Sequence, residues 1–240
     1  MRLIVLAGGK LDAELSAKTG LEWRAELPFK GETFVDIVIR ELRPFGEVVV
    51  VGGPRRKDVE WLEGGERFFD SFSKGVGAGG EGTFLMASVD LPFLTSESVS
   101  DFIDTCRMDH AAIHYPIVDL KSMGPKFGEM KRTSLRLKEG EFTGGNLFYV
   151  DGLTMRKVMP RMEAAYQARK NVMKLGSLLG MQTLLAIIAA KVVPGSVSIS
   201  RLEHLVGQSL GAPVRAVISK FPEIAADIDS SDHFAWLQTL

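Results

Sequence analysis

A chain of 240 residues with 45% hydrophobic and 25% charged residues has material for a full core under an ordinary soluble surface. Its formal net charge of −1 gives no electrostatic basis for binding nucleic acid, and a single cysteine, Cys106, excludes an internal disulfide framework and fits a reducing compartment. The longest uncharged run, Leu175 to Ala190, falls short of the roughly 20 apolar residues a membrane span needs, and MRLIVLAGG is too short in apolar residues for a signal peptide. A cytoplasmic protein with no membrane and no nucleic-acid partner is expected.

The run RLIVLA (2–7) reads as a buried strand that stops at Gly8-Gly9. FVDIVIREL (34–42) places Phe34, Val38 and Leu42 at helical spacing, with Ile37 on the same face. EVVVVGG (47–53) is a second strand. GVGAGG (75–80) satisfies G-x-G-x-x-G but precedes a strand instead of following one, so it reads as a flexible loop and not as a dinucleotide fingerprint. TFLMASVD (83–90) is a third strand and SESVSDFIDTC (96–106) the helix after it. This alternation predicts an α/β fold with a mixed, mainly parallel sheet sandwiched by helices.

In the second half, AAIHYPIVDL (111–120) alternates Ile113, Tyr115 and Ile117 on one side of a strand, and RTSLRLKEGEFTGGNLFYV (132–150) gives two strands around Lys138 to Glu141. A helical region from Gly152 to about Leu210, with breaks expected at Pro160 and Pro194-Gly195, leads to the strand PVRAVIS (213–219) and a last helix from Ser231. The apolar part of that helical region, from about residue 172 to 193, suits core packing or a homodimer contact.

Several residues carry possible chemistry. LAGGK supplies Leu6, Ala7, Gly8, Gly9 and Lys10 at the carboxyl end of the first strand, where open α/β sheets bind ligands. Its glycines allow close backbone approach and its amides can form an anion-binding nest; a plain strand-to-loop turn is the alternative. Asp90 ends one of the most apolar strands, LMASVDLPFLT, where an ionised carboxylate is costly unless paired, hydrogen-bonded or bound to metal. DIDSSDHF offers Asp227 and Asp229 on one face of an extended segment, with Asp232 read as the cap of the last helix. Asp90 with Asp229 and Asp227 would make a hard-oxygen site for Mg²⁺, which is commonly held by one or two carboxylates plus substrate phosphates. Thr143, Gly144, Gly145 and Asn146 of FTGGN either line a ligand or simply enter a hairpin. Arg169-Lys170 with Lys174 read first as a solvated helix face and second as a contact for an anion, and His110, His114 and Cys106 form no convincing site.

LAGG, WRAELPFKGETFVDIVI, VVVVGG, SVDLPFLT and DIDSSDHF, in this order, resemble the nucleotidyltransferases with a nucleoside-diphospho-sugar-transferase (GT-A-like, Rossmann-like) fold, in particular the MobA-like group. KRTSLRLKEGEFTGGNLFYV and ARKNVMKLGSLLG are similar to one branch of that group. The resemblance implies Gly8 and Gly9 in a nucleotide loop, Arg24 at a phosphate-contacting catalytic position, and catalytic Asp90 with Asp229 at metal positions. Between Gly9 and Arg24 the group's R-M-G signature is replaced by KLDAELSAKTGLEW, in which Lys10 and Lys18 supply positive charge. It further implies an Mg²⁺-dependent transfer from an NTP, GTP or CTP favoured, to a small phosphorylated acceptor bound near Thr143, Gly144, Gly145 and Asn146, with pyrophosphate released. A nucleotide-binding or regulatory protein of weak activity on the same scaffold is the alternative. The expected organisation is one domain over 1–240: a nucleotide-binding half (1–106), an acceptor-side β region (107–150), a helical insertion (151–212), and a returning strand with the metal-binding segment and last helix (213–240).

Overall fold

The computed structural model describes residues 1–240 apart from Glu129, Lys131, Arg169 and Lys170 and the side chains of Val172 and Met173. The chain begins with β1 (Arg2–Leu6), α1 (Ala13–Thr19), a small hairpin of β2 (Pro28–Phe29) and β3 (Glu32–Thr33), and α2 (Phe34–Leu42). There follow β4 (Glu47–Val51), β5 (Glu60–Leu62), α3 (Phe68–Gly79), β6 (Thr83–Ser88) and α4 (Ser96–Arg107). Next come β7 (Ile113–Asp119), the one-turn α5 (Gly124–Phe127), β8 (Ser134–Leu137), β9 (Gly140–Gly144) and β10 (Leu147–Asp151). Helices α6 (Gly152–Gln167), α7 (Val172–Leu179), α8 (Met181–Val192) and α9 (Ile199–Leu210) lead to β11 (Val214–Ser219) and α10 (Ser231–Leu237).

Strands whose residues are apolar throughout can only be buried on both faces, and they occupy the middle of the sheet. Its order is β5-β4-β1-β6-β10-β7-β9-β8, with β11 joined in parallel to β7. The first four strands are parallel, and β10 runs antiparallel to both its neighbours, giving the expected mixed sheet between helices. After β1 the chain builds outward through β4 and β5, then returns to the other side of β1 as β6. The strand order therefore reverses between β1 and β6, and the crevice beyond their carboxyl ends is where such sheets bind ligands.

Helix α2 starts on a reciprocal cap: Thr33 Oγ1 accepts from Asp36 N, and the Asp36 carboxylate accepts from Thr33 N, both at 3.3 Å. With Phe34, Val38 and Leu42 fully buried, it covers one face of the sheet together with α4. Helices α3, α6 and α9 cover the other face.

Three local expectations change. The glycine-rich stretch 75–80 is not a loop; its residues 75–79 form the last turns of α3. Small residues let this helix lie directly on the strands: a Cβ at Gly75 would sit 3.0 Å from Ile4 Cγ2, and one at Gly79 would overlap the Phe84 ring. Gly79→Ala should lower stability by about 1–3 kcal/mol through overpacking, against a helix-propensity gain of about 1 kcal/mol. Gly77→Ala meets no atom within 4 Å and should be neutral or stabilising. Urea midpoints of the two variants check this, and equal midpoints would remove the close-packing explanation. Pro160 does not break the helix, because α6 runs through it from Gly152 to Gln167. The missing proline N–H costs one backbone bond there, offset by burial of Met155 and Val158 against the sheet. Ser230, not Asp232, caps α10, its hydroxyl accepting from His233 N at 3.3 Å.

No helix among the described residues is long and apolar enough to cross a membrane. Helix α8 leaves Met181, Leu185, Ile188 and Val192 exposed, an apolar stripe in the region expected to support a subunit contact.

Candidate active site

The first wall of the crevice is the turn after β1. Leu6 O accepts from Val89 N at 3.2 Å and Ala7 N donates to Val51 O at 2.8 Å, which ties the turn to its neighbours. From there Gly9 O accepts from Arg24 N and Leu11 N donates to Glu22 O, both at 2.9 Å. The amides of Gly8, Gly9 and Lys10 take no hydrogen-bond partner among the described residues. A turn pinned by its carbonyls with successive N–H groups left open is suited to an anion. The end of β4 packs tightly against this turn, and the glycine that this requires is Gly52, since a Cβ at Gly8 would meet only ordinary contacts. Gly52, at φ +80°, approaches so closely that a Cβ on Gly52 would stand 2.7 Å from Gly8 Cα.

The lysines of the same segment face other partners. Lys10 Nζ lies 2.8 Å from Glu22 and over the Trp23 ring, and Lys18 Nζ lies 2.6 Å from Glu14. Positive charge reaches the crevice through Arg24 instead, held at the start of a short turn by its backbone bond to Gly9.

Asp90 closes the crevice from the β6 side. It is buried, accepting from Ser88 Oγ at 2.5 Å on Oδ1 and from Arg24 Nη1 at 2.9 Å on Oδ2. Its carbonyl accepts from Ile228 N at 2.9 Å, which seats the segment 227–229 beside it. On one side of Ile228, Asp227 Oδ1 lies 3.3 Å from Arg132 Nη1. Burial, and next the negative charge of Asp90, hold the Asp227 carboxyl above the usual carboxylate range; Asp229 adds to this and Arg132 opposes it. On the other side Asp229, half exposed, has Oδ1 2.9 Å from His233 Nδ1, off the line of a hydrogen bond.

Asp227 and Asp229 thus flank the Ile228 amide that bonds to Asp90, which puts the three expected carboxylates on adjoining segments. The Asp227 carboxyl, raised by burial and by the charges of Asp90 and Asp229, is one that a divalent cation would relieve, so in chemistry these hard oxygens suit Mg²⁺. Among the described residues no group of three or more His, Cys, Asp or Glu side chains is spaced to hold a metal by itself.

A cleft of about 750 Å³ opens beside Asp227 and Asp229 and runs along the sheet under α9. Thr143, Gly144 and Asn146 line it, whereas Gly145 does not. Thr143 Oγ1 donates to Thr133 O at 3.1 Å, and Asn146 is fixed through its backbone to Ile224 and Ser88 while its side chain takes no partner among the described residues. Gly144 is crowded by the Tyr115 hydroxyl, and a Cβ at Gly145 would lie 2.8 Å from Ile224 Cγ2 and 2.9 Å from Pro116 Cγ. Close packing alone thus accounts for both glycines. The Arg169-Lys170 pair lies outside the described residues.

Two residues at the mouth of this cleft escape a reading of the sequence. Arg132 has a side chain only 7% exposed, with Nε unpartnered and Nη2 on Met130 Sδ at 3.0 Å. Burial lowers its guanidinium from the ordinary value, against the pull of Asp227 and Asp229. Tyr115, with its hydroxyl pushed up by burial and by Asp227, stands over Gly144. The one available signal was a glycine in a strand, which marks a close approach by something large. Cys106 is buried in α4 with its thiol pushed up to about 12 by burial, and takes no part.

Comparison with known proteins shows the family and the fold. The MobA-like NTP transferase domain matches residues 3–193. A hypothetical transferase structure from Thermus thermophilus is 30% identical, with a TM-score of 0.85 over 97% of this chain and 98% of that one. The 2-C-methyl-D-erythritol 4-phosphate cytidylyltransferase from Thermus thermophilus shares the fold at 17% identity, with a TM-score of 0.56 over 99% of this chain and 97% of that one. So does the molybdopterin-guanine dinucleotide biosynthesis protein A from Archaeoglobus fulgidus, at 14% identity and a TM-score of 0.55 over 100% and 97%. No match is found among curated protein sequences. With a family match over residues 3–193 of its 240, the chain belongs to the MobA-like NTP transferase family, a family of nucleotidyltransferases.

Proposed function

We propose that the protein is an Mg²⁺-dependent nucleotidyltransferase that joins an NTP to a small phosphorylated acceptor and releases pyrophosphate. The observation that carries this reading is the meeting of the open amides of Gly8, Gly9 and Lys10 with Asp90 and Asp227 across one crevice. Two of the fold neighbours are a cytidylyltransferase of a sugar-alcohol phosphate and a protein of molybdopterin-guanine dinucleotide biosynthesis, so CTP and GTP are the first nucleotides to test.

In this reading the amides after Ala7 hold the β- and γ-phosphates, and Arg24 adds charge while keeping Asp90 oriented. The acceptor phosphate enters from the cleft, past Arg132 and Asn146. One of its oxygens attacks the α-phosphorus in line, the bond to the bridging oxygen of the β-phosphate breaks, and pyrophosphate leaves. A phosphate nucleophile is already ionised at neutral pH, so no general base is required, and the protein's work is positioning and charge stabilisation. When bound by Asp90 and Asp227, with Asp229 beside them, Mg²⁺ supplies neutralisation of the charge developing at the α-phosphate. The test is pyrophosphate release in step with labelling of a phosphorylated acceptor from an α-labelled NTP. Tight NTP binding with no release for any acceptor would instead identify a nucleotide-binding protein.

The carboxyl cluster also sets a pH dependence. A carboxyl raised in the fold favours the protonated form, so the cation-free protein loses stability as pH rises from the ordinary carboxylate range, about 4, through the raised value of Asp227. Mg²⁺ competes with that proton. The gain in Tm from saturating Mg²⁺ should grow with pH across this window and be largely lost in Asp227→Asn; a gain independent of pH would exclude Asp227 from the site.

A further inference from the structure

The cleft that receives the acceptor is built for more than a phosphate. On the same face of the sheet, under α3, Ile4, Val49, Phe84 and Met86 are at most 1% exposed because the helix rests directly on the strands. Under α9 the contact opens: Ile117 and Phe148 on the sheet and Leu202 and Val206 on the helix are only half-buried, and they face each other across the 750 Å³ space. Water against facing aliphatic walls is unfavourable, and a polar sugar there would leave its hydroxyls without partners. Glu203, which borders the space, already accepts from Ala216 N at 2.8 Å and from Arg215 at 3.1 Å, so its charge is not available to a ligand. Polar groups without partners occur at the mouth, where the buried Arg132 Nε and the Asn146 side chain lie beside the acidic crevice.

We infer that the acceptor is an amphiphile, with a phosphate head at Arg132 and Asn146 and an apolar chain or ring body lying between the sheet and α9. This rests on the nucleotidyltransferase reading and specifies its second substrate. The volume is within the range of pockets that enclose most of a drug-sized ligand, larger than a head group alone requires.

The test uses alkyl monophosphates below their micelle concentrations: methyl, hexyl and decyl phosphate, titrated calorimetrically against the full chain, with decanol as the uncharged control. Affinity should rise by about fourfold per methylene while the chain remains in the cleft, from about 0.8 kcal/mol per buried CH₂. Decanol should bind more weakly than decyl phosphate. Val206→Trp, which fills the space, should flatten the series in a protein whose melting curve shows it folded. Arg132→Met should weaken every member by a similar factor. A flat series for the wild type, or decanol binding as well as decyl phosphate, would overturn the inference without any variant. NTP binding and pyrophosphate release, measured on the same preparation with a short phosphorylated acceptor, separate the two failures. A flat series with turnover intact removes the amphiphile and keeps the transferase. A rising series with no NTP bound removes the transferase, and the acceptor assignment falls with it.

Discussion

Replacing Asp90 by Asn is expected to reduce turnover by at least about a thousandfold while leaving the fold intact. The side chain lies two residues beyond β6, at the point where the strand order reverses, and both its oxygens are engaged, by Ser88 and by Arg24. Removing one preorganised neutral donor from a transition state commonly costs a factor of about 10²–10³, and removing the anion that anchors a metal removes more. Folding should change little. Asn has the same shape, and the Arg24 guanidinium left behind is 29% exposed and stays hydrated, so the destabilisation should be about 1 kcal/mol. Pyrophosphate release and thermal melting give the two readouts. Full Mg²⁺-dependent activity in the folded variant would end the assignment.

The second large effect is expected at Arg132. Its guanidinium is 7% exposed and, among the described residues, pairs with Asp227 and leaves Nε without a partner. Charge-assisted hydrogen bonds contribute about 1.5–3 kcal/mol each, so two of them to an acceptor phosphate correspond to roughly a hundredfold or more in binding. Arg132→Met should therefore raise the acceptor KM by about a hundredfold and change the KM for NTP little. Because Asp227 loses its buried partner, the substitution should lower Tm, so both KM values are compared in a preparation whose melting curve shows it folded. It should also move Asp227 further above the carboxylate range, since Arg132 is the group that opposes that shift. Equal losses in the KM values of both substrates would show a general disturbance of the crevice and not an acceptor contact.

Much of the N-terminal half of the fold was legible in the sequence because its signals are local. The centres of β1, β4 and β6 (Leu3–Val5, Val48–Val51 and Phe84–Ala87) are unbroken apolar runs, as doubly covered strands must be, and α2 repeats its apolar residues at helical spacing. Asp90 stood out because a carboxylate at the end of such a strand needs a reason. The features that were missed depend on contacts distant in sequence. The glycines of α3 look like a loop until Ile4 and Phe84 are placed beneath them. Lys10 looks like a phosphate ligand until Glu22 and Trp23 fold back beside it. Arg132 is one arginine among many in the sequence, and its burial depends on Asp227, which the fold brings to it from 95 residues away. The cleft under α9 has no signature of its own, since half-buried and fully buried aliphatics read alike in one dimension.

The measurement that bears most directly on the account is titration calorimetry with ATP, GTP, CTP and UTP, each with and without Mg²⁺, on the wild type and on Asp90→Asn. The account predicts that at least one nucleotide binds more tightly with Mg²⁺ and that Asp90→Asn loses this gain while keeping the weaker, metal-independent binding to the Gly8–Gly9 loop. Failure of all four nucleotides to bind the wild type, or an Mg²⁺ gain that survives in Asp90→Asn, would contradict it.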